Sequence, residues 1–343
     1  MTELPSVAIV ADDLTGAADA LATFAVRGWR CRLVLNAQHL GPSRPGTAQA
    51  LDTAGRAASL SALSPEAVFR ITRHLAGADI AFLKVDSLLR GHIASDLAAL
   101  SDGWRRVVLT PAFPAHGRTF SGEHARSIAA ELADHGLKPV HVGVGHDLAA
   151  LAREGVLVVE AETDEDLRRA VAGHGSTLWV GSAGLAAALA SSGPPRPNKT
   201  LPPRDRAILT VVGSRTELAR RQVQEALRGR HDLEHVEAAG AANGTGDLLV
   251  SIATGDGADD VSLARAHAHD LRKLDARFGA LVLVGGDTAR EVLTAFGITE
   301  LAVVGELEPG TALSLDLEGR PIVTKSGSFG DDSALRRIHE RLA

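Results

Sequence analysis

Acids, hydroxyls and arginines recur in this sequence directly behind short apolar runs. Ala11-Asp12-Asp13-Leu14-Thr15-Gly16 follows one such run, and Lys84-Val85-Asp86-Ser87-Leu88-Leu89-Arg90-Gly91 follows another. Arginine offers a carboxylate a two-pronged donor, while Asp and Ser orient hydroxyls, so Lys84, Asp86, Ser87 and Arg90 could bind a polyol and a carboxylate together. An internal ion pair of Asp86 with Lys84 or Arg90 accounts for the same residues without a ligand. One of Asp12 and Asp13 is expected to cap the helix that begins near Thr15, leaving the other for chemistry. Asp13 and Asp86 are the candidates for accepting a proton from a substrate hydroxyl, and the spacing does not separate them. Pro111-Ala112-Phe113-Pro114-Ala115-His116-Gly117-Arg118-Thr119 reads as a rigid loop that delivers Arg118. Leu51-Asp52-Thr53-Ala54-Gly55-Arg56 reads as a loop carrying one more acid, hydroxyl and arginine.

The second half repeats a different layout: an apolar run, a glycine turn with a small hydroxyl residue, then a helical pattern. The turns are Gly213-Ser214-Arg215-Thr216, Gly285-Gly286-Asp287-Thr288 and Lys325-Ser326-Gly327-Ser328-Phe329-Gly330. The first amides of a helix point outward at the positive end of its dipole, and glycine lets an anion approach that backbone. Any one such turn is explained by capping and turn chemistry alone. Three of them, with Lys325 to neutralise charge, point to a polyphosphate. No G-x-x-x-x-G-K-[ST] string occurs, and Gly143-Val144-Gly145-His146-Asp147-Leu148 lacks the third small residue of a dinucleotide fingerprint. The fourteen histidines form no metal pattern: His267 and His269 do not share a helical face, and the Leu233-Glu234 between His231 and His235 leads into a strand.

Positioning these groups requires βα units. Strands are predicted at Val7–Ala11, Arg32–Leu35, Ile80–Lys84, Val107–Thr110, Val156–Glu160 and Leu178–Val180, and helices near Thr15–Val26, Pro65–Leu75, Ile93–Leu100, Ala125–His135, Asp164–Ala172 and Gly184–Ala190. The proline-dense SSGPPRPNKTLPPRDR then interrupts the rhythm. Beyond it, strands are predicted at Ile208–Val212, Leu248–Ile252, Leu281–Val284, Leu301–Val304 and Ile322–Lys325. Helices are predicted at Glu217–Leu227, Val261–Phe278, Ala289–Phe296 and Ser333–Leu342. The expected architecture is α/β: two domains, 1–192 and 207–343, each a largely parallel sheet flanked by helices. A linker at 193–206 joins them, and the active site lies in the cleft between the domains.

Composition narrows the function. With 343 residues the chain suits two cores. Its net charge of −6 and its 3% of aromatic residues argue against a nucleic-acid binder, which wants a basic face and stacking surfaces. Cys31, the only cysteine, lies in an apolar run and reads as a buried strand thiol. No secretory leader and no membrane-spanning run is evident, which places the expected location in the cytoplasm.

Taken in order, IVADDLTGAADA, KVDSLLRGHI, PAFPAHGRTFSG, WVGSAGLAAAL, VVGSRTELARRQ, LVGGDTAREVL and GELEPGTALSLDLEGRPIVTKSGSFGDDSAL resemble the four-carbon acid sugar kinases. The resemblance implies an N-terminal domain for a four-carbon sugar acid and a C-terminal domain for ATP, used with Mg²⁺. The phosphoryl acceptor would be the terminal hydroxyl of a threonate, erythronate or 3-oxo-tetronate. Carried over by motif, Asp13, Arg56, Lys84, Asp86, Ser87, Arg90 and Arg118 contact the acid, and Ser214, Gly285 to Thr288, Gly327 and Gly330 contact the nucleotide. The family usually has Thr where Leu88 stands and Ser where Thr216 stands, and its members are longer after Ser121-Gly122. The metal ligands stay unassigned and a homodimer stays open. The competing readings are a noncatalytic sugar-acid and nucleotide sensor, and a nicotinamide-dependent dehydrogenase.

Overall fold

Runs such as VAIVA and AILTVV are apolar on both faces, the signature of strands covered by helices on either side. The computed structural model describes residues 3–54, 59–146, 154–171, 176–196, 206–230, 232–237, 244–252 and 260–342. The chain divides into two units, Met1–Arg196 and Pro197–Ala343.

The strands of the first unit are β1 (Val7–Ala11), β2 (Arg30–Val34), β3 (Thr47–Asp52), β4 (Ile80–Lys84), β5 (Arg106–Thr110), β6 (Pro139–Val142), β7 (Gly155–Val159) and β8 (Thr177–Gly181). They lie in the order β2-β3-β1-β4-β8-β5-β7-β6, and every neighbouring pair is parallel. After β1 the chain leaves toward β2, and after β4 the succession of strands continues on the other side. The carboxyl ends of β1 and β4 therefore flank a switch point, where open α/β sheets hold ligands. Ala11 pairs in register with Asp52 on one side and Lys84 on the other. Ile9, Phe24 and Phe82 are fully buried in this core. Cys31 is buried in β2, its thiol donating to the Leu21 carbonyl, and burial pushes it well above the usual thiol range.

The second unit places β9 (Ala207–Val212), β10 (Glu234–Val236), β11 (Leu248–Ser251), β12 (Phe278–Val284) and β15 (Pro321–Lys325) in the parallel order β10-β11-β9-β12-β15. Two antiparallel strands, β14 (Thr311–Leu315) and β13 (Glu300–Glu308), extend it beyond β15. Ile208, Val282, Val323 and Ile338 belong to its core.

Predicted and observed elements coincide in most places and differ in instructive ones. The helix expected over 261–278 ends at Arg272; a short 3-10 turn at Asp275–Arg277 follows and Phe278 already belongs to β12. No Gly or Pro marks the change, and strand pairing that buries Phe278 completely overrides the helical pattern. Leu51 and Asp52 end a strand rather than occupying a loop. TAQALD has little β propensity of its own, and pairing with both β1 and β2 supplies what it lacks. Of the proline-rich segment, residues 197–205 lie outside the described residues, as do Asp147, Leu148 and His231. Arg196 donates its amide to the Val26 carbonyl, and Gly193 lies where a side chain would meet Trp29 and Arg27. No helix among the described residues is long and apolar enough to cross a membrane.

Candidate functional site

Asp13 is the residue that caps. Its Oδ1 accepts from the Gly16 amide at 2.8 Å and the Thr15 hydroxyl at 2.6 Å, opening the helix Leu14–Ala25. Lys84, buried at the end of β4, donates from Nζ to the Val85 carbonyl. A Cβ on Gly16 would sit 2.8 Å from that Nζ and 3.3 Å from Asp13 Oδ2, so glycine is what lets the ammonium and the capping carboxylate share this space. Asp12 is buried beside them, its carboxylate facing Gly91, and helps line a small cleft with Thr53, Lys84, His92 and Asp96.

Asp86 is engaged on both oxygens. Arg90 donates Nε to Oδ2 at 2.6 Å and a second guanidinium nitrogen to Oδ1 at 2.9 Å, while the amides of Leu88 and Arg90 also reach Oδ2. The internal ion pair is thus formed, and it shapes the loop: Leu89 takes a left-handed φ of 60° and Gly91 a φ of 99°. Leu88 is left exposed at the tip. Arg118 arrives from the third motif. A bridge between Phe113 and Arg118, closed by left-handed Gly117, fixes the loop as its prolines predict. The Arg118 guanidinium donates to Ser87 Oγ. Burial depresses it below the usual arginine range; Asp86 and Asp19 act in the opposite direction, and Arg90 adds to the depression. Lys84, Asp86, Ser87, Arg90 and Arg118 therefore converge with Asp13 at one sheet edge. Arg56 lies outside the described residues.

Sequence reasoning missed Asp19 and Asp96. Both are buried acids on helices, and an acid inside the apolar octet IASDLAAL is the available signal for the second. Asp96 accepts from the Ser59 hydroxyl and the Leu60 amide, pinning the segment after the β3 loop to the helix Ile93–Leu100; burial raises its carboxyl above the usual range.

In the second unit β9, β12 and β15 are adjacent, and the three glycine turns interlock at their carboxyl ends. The Gly213 amide donates to the Val284 carbonyl and the Gly285 amide to the Lys325 carbonyl. A Cβ on Gly213 would lie 1.9 Å from Thr288 Oγ1, and one on Gly327 only 1.8 Å from Ser214 Oγ. Thr216 caps the helix Glu217–Gly229 and donates its hydroxyl to the Gly327 carbonyl at 2.7 Å. Gly285, at a φ of 110°, starts the helix Gly286–Ala295, so Gly286, Asp287 and Thr288 form its first turn. Gly327 is buried, and its amide has no acceptor among the described residues. An amide left unpaired by the protein takes its acceptor from water or from a ligand.

Lys325 is fully buried, and its Nζ donates to the carbonyls of Ser326 and Phe329 within its own turn, both at 2.8 Å. The residue is the last of β15, and the loop that follows closes on its ammonium through these two carbonyls. No group of three or more His, Cys, Asp or Glu side chains suited to a metal occurs among the described residues.

Two family models match parts of the two units. A sugar-binding N-terminal domain matches residues 7–141 and a nucleotide-binding C-terminal domain matches residues 251–335. The D-threonate kinase of Cupriavidus necator is 32% identical, with 95% of each chain covered. The chain belongs to the four-carbon acid sugar kinase family. As a member it is a small-molecule kinase. The D-threonate kinase of Bordetella bronchiseptica is 29% identical to this kinase over 98% of both chains. The Cupriavidus alignment runs over 401 positions, more than the 343 residues of this kinase, so that relative carries segments absent here. The fold is shared with a solved Salmonella typhimurium protein at TM-score 0.74 and 18% identity, covering 98% of this chain and 99% of that one. A Haemophilus influenzae protein matches at TM-score 0.69 and 17% identity, covering 98% and 100%.

Proposed function

We propose that this kinase transfers the γ-phosphoryl group of ATP to the terminal hydroxyl of a four-carbon sugar acid of the threonate, erythronate or 3-oxo-tetronate type. The interlock of three glycine turns carries the nucleotide half of the reading: Gly213 packed on Thr288 and Gly327 packed on Ser214 bring the three turns together beside the first turn of the helix Gly286–Ala295, where backbone amides can meet phosphate oxygens. Gly285 to Thr288 would meet the phosphates at a helix start, with Ser214, Gly327 and Gly330 completing the cradle. Mg²⁺ fits as a companion of the nucleotide, since it is commonly held by substrate phosphates and one or two carboxylates. Asp287, in the first turn of the helix Gly286–Ala295, would supply the carboxylate, and the ion would offset charge on the phosphates.

The acid half rests on charge. Arg118, Lys84 and Arg90 provide cations for a carboxylate, and Asp12, Asp13, Asp86 and Ser87 provide partners for hydroxyls. With Asp13 committed to its cap and Asp86 to Arg90, both carboxylates act first as orienting groups. Most of the catalysis then comes from positioning and charge stabilisation, as in other phosphoryl transfers. Transfer requires both ligands to meet, so the acceptor hydroxyl must reach the γ-phosphate in the ternary complex.

An ADP-release assay with MgATP across four- and five-carbon sugar acids tests the reading. Stimulation by a four-carbon acid is expected; ATP binding with no stimulation by any acid would leave a sensor. Asp287→Ala should raise the KM for ATP at least about tenfold, the loss of roughly 1.4 kcal/mol of binding, while the sugar-acid KM stays within about twofold. Equal loss on both substrates would overturn the assignment of the second unit.

A further inference from the structure

The loop after β15 has an unusual foundation: the fully buried ammonium of Lys325, a cation set in the core of the second unit. Its Nζ holds the Ser326 and Phe329 carbonyls at 2.8 Å each. In a planar trans peptide the C=O of one residue and the N–H of the next point in opposite directions. No peptide among the described residues is cis. Drawing the carbonyls of Ser326 and Phe329 down onto the ammonium therefore turns the amides of Gly327 and Gly330 up, away from it. Neither amide has an acceptor among the described residues. These are two of the residues that the motif assigns to the nucleotide.

We infer that Lys325 is a positioning residue for the nucleotide site, holding two carbonyls inward so that the Gly327 and Gly330 amides face the phosphates above a buried positive charge. The inference rests on the nucleotide reading of this unit. Gln222 shares the mechanical part of this role, because its Nε2 donates to the Phe329 carbonyl at 3.0 Å and the Asp331 carbonyl at 2.8 Å. It carries no charge, which separates the two contributions. Burial lowers the lysine to about 8, with Glu308 on β13 acting in the opposite direction. Glu308 is itself paired with Arg337 of the terminal helix. The register partners Val284 on β12 and Thr311 on β14 are neutral, as is Gln222. A bound polyphosphate would hold the proton on Lys325, so nucleotide affinity should fall as pH rises past 8.

Calorimetric titration of the full chain with MgADP between pH 7 and 9.5 tests this. The wild type should bind about tenfold more weakly at pH 9 than at pH 7 and take up protons on binding near pH 8.5. Lys325→Met should bind at least about tenfold more weakly at pH 7 and lose the dependence above pH 8. Lys325→Arg, charged throughout, should also lose that dependence, and Gln222→Met should weaken binding while keeping it. A flat wild-type profile with no proton uptake overturns the inference, whether or not the methionine variant folds. So does an unchanged affinity and profile in Lys325→Met. If the wild type binds no nucleotide at any pH, the nucleotide reading itself falls and takes the inference with it.

Discussion

The carboxylate of Asp86 grips Arg90 through both oxygens while two backbone amides point at it, so one side chain sets the shape of the whole loop. Asp86→Asn removes the charge and one of the two paired acceptors. Arg90 is half exposed, so losing this charge-assisted pairing costs about 1.5–3 kcal/mol, and a drop of about tenfold or more in kcat/KM for the sugar acid is expected, with the KM for ATP nearly unchanged in steady-state kinetics. Lys325 has a stability consequence of opposite sign to its binding role. Between about 8 and its ordinary value of 10.5 the folded chain binds fewer protons at this site than the unfolded chain, so stability rises with pH through that window. Below it the buried ammonium costs on the order of 3 kcal/mol. The unfolding free energy of the wild type in urea should therefore gain on that of Lys325→Met as pH rises from 7.5 to 10; a constant difference would count against the depressed lysine. Residue types were legible in the sequence but their directions were not. Nothing in KSGSFG says that the lysine is buried against its own loop; that follows from the Ser326 and Phe329 carbonyls folding back onto its ammonium.

The glycine turns work as a set because three adjacent parallel strands end together. Gly213 yields space to Thr288 and Gly327 yields it to Ser214, so each turn is shaped by the next. Gly213→Ala and Gly327→Ala should each raise the KM for ATP by about tenfold or more, because overpacking costs about 1–3 kcal/mol. Sugar-acid binding measured without nucleotide should hardly change. Strand and helix positions around these turns were readable from apolar runs and caps: Ile80–Lys84 and Ile93–Leu100 occupy the predicted spans. Thr47–Asp52 and Thr311–Leu315 were not readable, since their Ala, Ser and Gln residues become strands only through neighbours distant in sequence. The helix that stops at Arg272 shows the same competition, decided by the burial of Phe278.

At the scale of the molecule, the two units carry different ligands in the proposed function, and hydrogen exchange can check that division. ATP alone should slow amide exchange in 213–216, 285–288 and 325–330, and a sugar acid alone in 12–16, 84–91 and 112–118. Protection of the first unit by ATP alone would contradict it. In the sequence the proline-dense stretch and the restart of the βα rhythm suggest two units, and the chain divides between Arg196 and Pro197. The pairing order of the strands has a consequence for how the chain acquires its structure. In the first unit β1 must find partners that begin at Thr47 and Ile80, each beyond an intervening helix or strand. By contrast, β13, β14 and β15 are an antiparallel meander joined by short turns. Short closures form early and long ones late. In a refolding experiment with pulsed exchange labelling, the amides of 300–325 should be protected before those of β1. The strand that ends in Lys325 would then be among the first parts of the kinase to exist, a template on which the phosphate-facing loop is laid down before the sheet of the other unit has closed.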